Sequence, residues 1–484
     1  MAAEQPRLLS LFGKTLLFER GADSHVKTAR SSFAERREEL SIMEKKRIIV
    51  ISADAMVCED IDRLRRLPNF QKYLAGGCEA VKGMRTIYPS VTYPAHISMI
   101  TGCWPGTHGV TSNFSFTTSN KDQNWLWFSD SYQVEDIFEA AKKAGYHTAS
   151  VSWPGTAKNP SVDWLMAEYW MPNPGDTLRS SFRDAGSSEE MLDLIERNEY
   201  LLAKDYKKGG KKYFMQWPMV DDFNIHVACD VIREHAPQLL FVHTGTFDSW
   251  RHAHGVFSPW TEDAAFRLDG YIGQLMDACR EAGVLEQTNL VLVSDHGQRD
   301  IRRVIRLNVL LADAGLLSVD KDGTVTDWEA FAFSNAMSAL IYLKHPEDER
   351  LKQRVYDCLR ELQQEGVYGV GQVFTAEEAK EQEHLWGGFS FVVESDGYTS
   401  FSDAAAHPLV EQFHADDYRA GRATHGYLPD FGPQPVFVAK GPDFCEHTLI
   451  ERGRVIDEAP TYAKLLGIEL KEADGKAMDV FLRQ

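Results

Sequence analysis

Arg47 to Asp54 reads RIIVISAD, Leu239 to Asp248 reads LLFVHTGTFD, and Asn289 to His296 reads NLVLVSDH. Each stretch runs an apolar strand straight into a carboxylate. Near-continuous Val/Ile/Leu runs mark strands buried on both faces of a parallel sheet, and open α/β sheets bind ligands just beyond the carboxyl ends of such strands. The pattern predicts an α/β chain in which Asp54, Asp248 and the Asp295-His296 pair share one crevice. Ionised carboxylates that converge away from water repel one another and lose hydration, and a bound cation offsets both costs. The chain therefore reads as a metalloenzyme.

The composition agrees with a globular protein larger than one small domain: 484 residues, 43% apolar and 25% charged. A formal net charge of −19 argues against a nucleic-acid polymer as partner, because polymer binding relies on clustered Lys and Arg. A small anionic substrate stays compatible if metal ions supply local positive charge. The seven cysteines (Cys58, Cys78, Cys103, Cys229, Cys279, Cys358 and Cys445) are odd in number, scattered and without a CxxC pair, which predicts reduced thiols in the cytoplasm. The apolar patch Leu8 to Phe12 is followed by Lys14, Glu19 and Arg20, too soon for a signal-peptide core of about 7–15 residues. No run approaches the roughly 20 apolar residues of a membrane span. The expectation is a soluble protein, neither exported nor membrane-bound.

Along the chain, residues 1–46 are rich in Arg, Lys and Glu and read as a helical arm. A core over 47–335 follows. It has a strand at 47–52, helices near 60–75, 94–101 and 134–144, a strand at 147–152, a strand at 239–243, a helix at 261–282 and a strand at 289–294. Gly145 is placed to cap the helix before it. Within this core, a polar stretch at about 170–230 containing Lys207, Lys208, Lys211 and Lys212 reads as a surface insertion or lid, and its basic run as a solvated turn. Residues 336–415 change character, with strands at 336–343 and 389–394 around a helix at 347–366, and read as a small inserted α+β subdomain. Residues 416–484 return to the core with a strand at 434–439 and a helix at 459–466 that is started by Pro460 and stopped by Gly467.

The candidate chemistry lies at the ends of these strands. Asp248 and His252 are four apart, one face of a helix if the turn is helical. Asp295 and His296 are adjacent, and where a strand gives way to a turn both can reach one ion. His425 stands in the loop Ala-Thr-His-Gly-Tyr-Leu-Pro-Asp-Phe-Gly-Pro. Thr92, in Tyr-Pro-Ser-Val-Thr-Tyr-Pro-Ala-His, precedes a helix that ends at Gly102. A helix amino terminus attracts an anion, so Thr92 is either an oxygen nucleophile or a capping threonine. His254, two residues after His252, points elsewhere, and His96 inside the helix after Thr92 reads as a supporting residue.

Taken together, these elements resemble the alkaline phosphatase superfamily, and within it the nucleotide pyrophosphatase/phosphodiesterase branch, across roughly residues 47–470. The matching segments are Asp54 after the first strand, Pro89-Ser90-Val91-Thr92-Tyr93-Pro94-Ala95-His96 continuing through Thr101-Gly102 and Pro105 to His108-Gly109, and Asn113. Ser152 to Gly155 (Ser-Trp-Pro-Gly), Asp-x-x-x-His-x-x-Gly at Asp248, His252 and Gly255, Ser294 to Gly297, and His425-Gly426 complete the set. The resemblance implies an alkaline-phosphatase-like three-layer sandwich with a mostly parallel central sheet. It also implies two divalent metal ions, zinc foremost and manganese as the alternative. Asp248, His252 and His425 would hold one, and Asp54, Asp295, His296 and the Thr92 oxygen the other. It makes Thr92 the nucleophile of a phospho-threonine mechanism, with Asn113 and the Thr92 backbone N–H on a non-bridging oxygen. Tyr93 either stacks on an aromatic leaving group or packs beneath the helix start.

Phosphodiester or pyrophosphate hydrolysis of small, nucleotide-like substrates is the first reading. Phosphonate or phosphomonoester hydrolysis comes second, because Lys158 stands alone where a monoesterase would place extra cations. A sulfatase would need Cys/Ser-x-Pro-x-Arg, and Cys103-Trp104-Pro105-Gly106-Thr107 lacks the arginine. A non-catalytic zinc-binding scaffold is the third reading, and a retained Thr92 counts against it.

Overall fold

The computed structural model describes residues 45–119, 124–171, 173, 175–414 and 417–483. Lys46–Gln484 form one compact unit, and the arm expected over 1–46 lies almost wholly outside the described residues. The central sheet has eight strands: β1 (Arg47–Ala53), β2 (Cys78–Ala80), β3 (Thr148–Val151), β4 (Trp164–Met166), β5 (Leu239–Thr244), β6 (Thr288–Val293), β7 (Phe437–Lys440) and β8 (Leu449–Ile450). Their spatial order is β8-β2-β7-β6-β1-β5-β3-β4, and β7 alone runs antiparallel to its neighbours.

The three apolar runs quoted from the sequence are the three adjacent strands β6, β1 and β5. Every residue in them is buried, because each face of the sheet is covered by helices. The helices that position the site are α1 (Thr92–Thr101), α2 (Met219–His235), α3 (Thr246–His254), α4 (Pro259–Glu281) and α5 (Glu458–Leu466). On one side Phe241 of β5 meets Phe138, Trp153 and Tyr462 of α5 in edge-on contacts, and α5 packs on α1. On the other, α2 and α4 pack against each other, and α2 lies against β5. The sheet and its two helical layers are the sandwich that was expected.

Sequence and structure part in three places. The helix expected near 60–75 is broken into Ile61–Leu64 and Pro68–Tyr73, since Pro68 cannot continue the first and starts the second. The stretch at 170–230, expected to be a polar surface insertion, is largely helical and reaches the main core through Phe182, Leu192, Ile195 and Phe223. In its helix Glu189–Arg197 the charged residues line the outer face while Met191, Leu192, Leu194 and Ile195 are buried, so average composition hid the amphipathic stripe. The second sheet, ordered Ala330–Ser334, Ser338–Leu343, Phe391–Ser395, Val370–Thr375, starts ahead of residue 336 and is antiparallel throughout. Its helix Glu349–Glu365 is capped by the Asp348 carboxylate and closed by Gly366 at φ 70°, and buries Val355 and Leu359 in a separate core.

Candidate active site

Because β6, β1 and β5 are adjacent and parallel, their carboxyl ends deliver side chains to one place. Asp54 follows β1, with its N–H donating to the Thr244 carbonyl at the end of β5, 2.9 Å. Asp295 and His296 follow β6, and Asp295 Oδ1 accepts from the Ala55 N–H at 3.1 Å. Asp248 sits in the first turn of α3 with His252 one turn later, and Asp248 Oδ1 lies 3.1 Å from His252 Nε2 and 3.9 Å from His425 Nε2. His296 Nε2 lies 3.1 Å from Asp295 Oδ2 and 3.6 Å from Asp54 Oδ1. Two trios, Asp54/Asp295/His296 and Asp248/His296/His425, bring ligand atoms within 4.8 Å of one another.

The hydrogen bonds of the three histidines settle which nitrogen faces the cleft. His252 Nδ1 donates to the Ala423 carbonyl (2.7 Å), His296 Nδ1 to Gly297 (3.2 Å) and His425 Nδ1 to Ser90 (3.2 Å). A carbonyl only accepts, so each proton is on Nδ1 and each Nε2 presents a bare lone pair. These lone pairs face carboxylate oxygens, acceptor against acceptor, and among the described residues His252 Nε2, Asp54 Oδ1 and Asp295 Oδ2 are buried without a hydrogen-bond partner. Such an arrangement is costly when empty and complete around a cation, so this donor set fits divalent metal. The electrostatics agree. Burial, then Asp295 and Asp248, push the Asp54 carboxyl well above the usual carboxylate range. Burial also works to raise Asp248, and what holds this carboxyl low is positive charge at His252, His425 or His296, the charge that a bound cation would replace. Burial, the largest cause, pushes the His425 imidazole well below its usual range.

Thr92 is the first residue of α1, and Val91 occupies the cap position in extended conformation, so Thr92 is not a capping threonine. Its neighbours are buried while it is half-buried, and its Oγ1 lies 3.3 Å from His296 Nε2. As the first helical residue its N–H has no intrahelical acceptor. Asn113 is buried, accepts from the Tyr93 N–H at 2.9 Å and lines the same cleft. His96 hydrogen-bonds through Nδ1 to the Thr92 carbonyl (2.9 Å) and through Nε2 to Ser52 Oγ (2.9 Å), and its Nδ1 also lies 3.4 Å from Asp295 Oδ2. His254 is exposed and stacks on Trp260 at 4.5 Å, away from the cleft. The glycines that follow His296 and His425 are steric requirements. A Cβ at Gly297 would run into the Pro433 carbonyl, and one at Gly426, where φ is +89°, into that of Asn335.

The cleft encloses about 400 Å³. Tyr93 is among the residues that line it, with no exposed surface of its own and its ring tilted against Trp125 at 5.5 Å. The basic run expected to be a solvated turn is split. All four lysines are exposed, but Lys211 and Lys212 line the cleft, and the Lys211 ammonium lies 4.1 Å from the Trp125 ring, flanked by Glu168 and Asp417. Sequence reasoning also missed His243, whose Nε2 is 3.0 Å from Asp54 Oδ2. Asp221 was missed too; it accepts from the Gly245 and Thr246 N–H groups (2.9 and 3.0 Å) and from Thr246 Oγ1, seating the turn that carries Asp248. Cys103 is wholly buried past the carboxyl end of α1, its thiol pushed up to about 11 by burial, and Lys158 lies over the Phe128 ring.

The chain is similar to known proteins. The profile of the family described as Type I phosphodiesterase / nucleotide pyrophosphatase matches residues 48–418. Human ectonucleotide pyrophosphatase/phosphodiesterase family member 1 is 26% identical over 249 residues, covering 49% of this chain and 22% of that protein. The chain thus spans under a quarter of the first curated relatives it matches. Human family member 5 is 22% identical over 449 residues, 90% of this chain and 78% of that protein. The solved structure of human ectonucleotide pyrophosphatase / phosphodiesterase 5 superposes with a TM-score of 0.62 at 18% identity over 91% of this chain and 100% of that one. An inactive variant of the murine protein in complex with AMP gives 0.59 at 18% identity over 89% and 98%. The fold is accordingly the alkaline-phosphatase-like α/β sandwich. With its profile match running from β1 past the second sheet, the chain belongs to the type I phosphodiesterase / nucleotide pyrophosphatase family.

Proposed function

We propose that the protein is a metal-dependent hydrolase that cleaves phosphodiester or pyrophosphate bonds of small, nucleotide-sized substrates, with Thr92 as nucleophile. The observation that carries this reading is the position of Thr92 Oγ1. It is 3.3 Å from His296 Nε2, at the amino end of a buried helix, among Asp and His groups whose unpartnered acceptors face one another. We assign Asp248, His252 and His425 to one divalent cation and Asp54, Asp295, His296 and the Thr92 oxygen to the other. Zinc suits this mixed carboxylate and imidazole set, and manganese is the alternative. When bound, the pair supplies positive charge that offsets the carboxylates and the charge on the transferring phosphoryl group.

In this mechanism a bond forms between Thr92 Oγ and phosphorus as the bond to the leaving-group oxygen breaks, and the hydroxyl proton passes to solvent. Water then attacks phosphorus, the Thr92 Oγ–P bond breaks, and Thr92 is regenerated. Two inversions retain configuration at phosphorus. The Thr92 N–H at the helix amino terminus and Asn113 hold a non-bridging oxygen. A diester or pyrophosphate fits better than a dianionic monoester because Lys211, the cation beside Trp125, is already offset by Glu168 and Asp417. The AMP bound by the murine structural neighbour supports a substrate of nucleotide size. We also propose a reducing, cytoplasmic location, supported by seven free cysteines and testable by cell fractionation.

The test is metal-dependent turnover of bis-p-nitrophenyl phosphate against p-nitrophenyl phosphate by wild type and Thr92→Ala. Faster diester cleavage is expected, with a fall of at least about 10³-fold in the variant. A monoester preference would favour phosphomonoester hydrolysis, and inactivity on both would favour a phosphonate substrate or a scaffold.

A further inference from the structure

We infer that His243 is a positioning residue that orients the Asp54 carboxylate, engaging one oxygen and leaving the other for metal. The inference rests on the metal reading proposed above. His243 projects from β5, where it pairs in register with Ser52 of β1, two residues before Asp54. It is 2% exposed, and its Nε2 lies 3.0 Å from Asp54 Oδ2. With a cation bound Asp54 is an ionised carboxylate that only accepts, so in that state the imidazole proton sits on Nε2 and points at Oδ2. Oδ1 keeps no hydrogen-bond partner among the described residues, and this oxygen approaches His296 Nε2 at 3.6 Å. The two oxygens thus have different tasks, and the division is set by a ring on the neighbouring strand.

The ring has little freedom. His96 packs edge-on against it, 4.8 Å between centroids at 84°, and His96 is itself held by the Thr92 carbonyl and Ser52 Oγ. Asp54, His96 and His243 also bring ligand atoms within 4.8 Å. Because both His96 nitrogens are engaged, this trio is a brace behind the ligands rather than a further cation site. The brace links the nucleophile's own carbonyl to a metal ligand through Thr92, His96, His243 and Asp54. Outer partners of this kind fix ligand orientation, and their loss weakens metal binding.

The test compares His243→Phe, which keeps an aromatic ring but removes the donor, with His243→Gln, whose side-chain amide can donate to the same oxygen. In the full-length protein, zinc affinity is measured by competition with a graded chelator, and the visible spectrum is recorded after cobalt(II) substitution. His243→Phe is expected to weaken one ion by about 10–100-fold and to change the cobalt spectrum of that site alone, with His243→Gln recovering most of the loss. Wild-type affinity for both ions in His243→Phe overturns the inference while leaving the metal reading intact. Equal weakening of both ions by both variants, with a matching fall in the melting temperature of metal-free protein, assigns His243 to packing and also overturns it. Absence of divalent-metal binding in wild type overturns both.

Discussion

Replacing Asp54 by asparagine should stabilise the metal-free protein and destabilise the metal-loaded one. Asparagine keeps the shape of the side chain and an oxygen for the His243 N–H, so what is lost is the negative charge. The ligand atoms of Asp54 and Asp295 lie within 4.8 Å, and two unit charges at that distance repel by about 3.5 kcal/mol at an effective dielectric of about 20. Proton uptake by the metal-free cluster relieves part of this, which leaves a gain of about 1–3 kcal/mol for Asp54→Asn without metal. With metal the sign reverses. A cation at about 1,000 times its Kd stabilises the folded state by about 4 kcal/mol, and the variant forfeits most of that. For a unit of this size 1 kcal/mol moves the melting temperature by about 1 °C. Thermal unfolding of both proteins in chelator and in excess zinc should therefore show the variant about 1–3 °C above wild type in the first condition and about 1–3 °C below it in the second, where the forfeited metal stabilisation outweighs the relieved repulsion. Equal shifts of the same sign in both conditions would refute the argument that these carboxylates are held together against their own repulsion for the sake of a cation.

Other consequences can be checked in the same way. Glu394 accepts from Tyr88 Oη (2.9 Å) and the Leu428 N–H (3.1 Å), and burial pushes its carboxyl to about 8 from 4.5. Its folded value is above its unfolded one, so its stabilising contribution is complete below the unfolded value and lost as pH rises through the folded one. Denaturation midpoints of wild type should fall relative to Glu394→Gln between about pH 5 and 9, with a limiting slope of about 1.4 kcal/mol per pH unit; parallel curves would reject this. Asp221→Ala removes the acceptor of Gly245, Thr246 and its hydroxyl and should cost about 2–4 kcal/mol in urea denaturation. It should also weaken the cation assigned to Asp248, and undiminished zinc affinity would count against the seating role. Gly426→Ala drives a methyl group into the Asn335 carbonyl at a φ of +89°, and the shifted His425 should reduce zinc affinity and diester turnover together by about 10-fold or more. An active variant of unchanged affinity would show that the loop yields freely.

The carboxylates were legible because their signal is local. Asp54, Asp248 and Asp295 each follow a run buried on both faces, and a strand that cannot stop for polar residues until it leaves the sheet marks its own end. Thr92 was legible as a helix start, and the two His-Gly pairs as turns. Three other features depended on residues far apart in the chain. Lys211 looked like part of a solvated run until packing laid it over Trp125. Tyr93 gave no sign in its own stretch of sequence that its ring would lie against Trp125. His243 was one more residue of an apolar strand until the order β6-β1-β5 set it beside Asp54. By itself the sequence determined which strands are buried, where each ends and which ligating side chains stand there, since hydrophobic burial and turn chemistry act over a few neighbouring residues. Only the tertiary structure decided which ends are adjacent, which nitrogen of each histidine faces the cleft and which side chains brace the ligands. Those depend on contacts between segments tens to hundreds of residues apart, and a side chain's partner across a sheet leaves no trace in its own stretch of sequence.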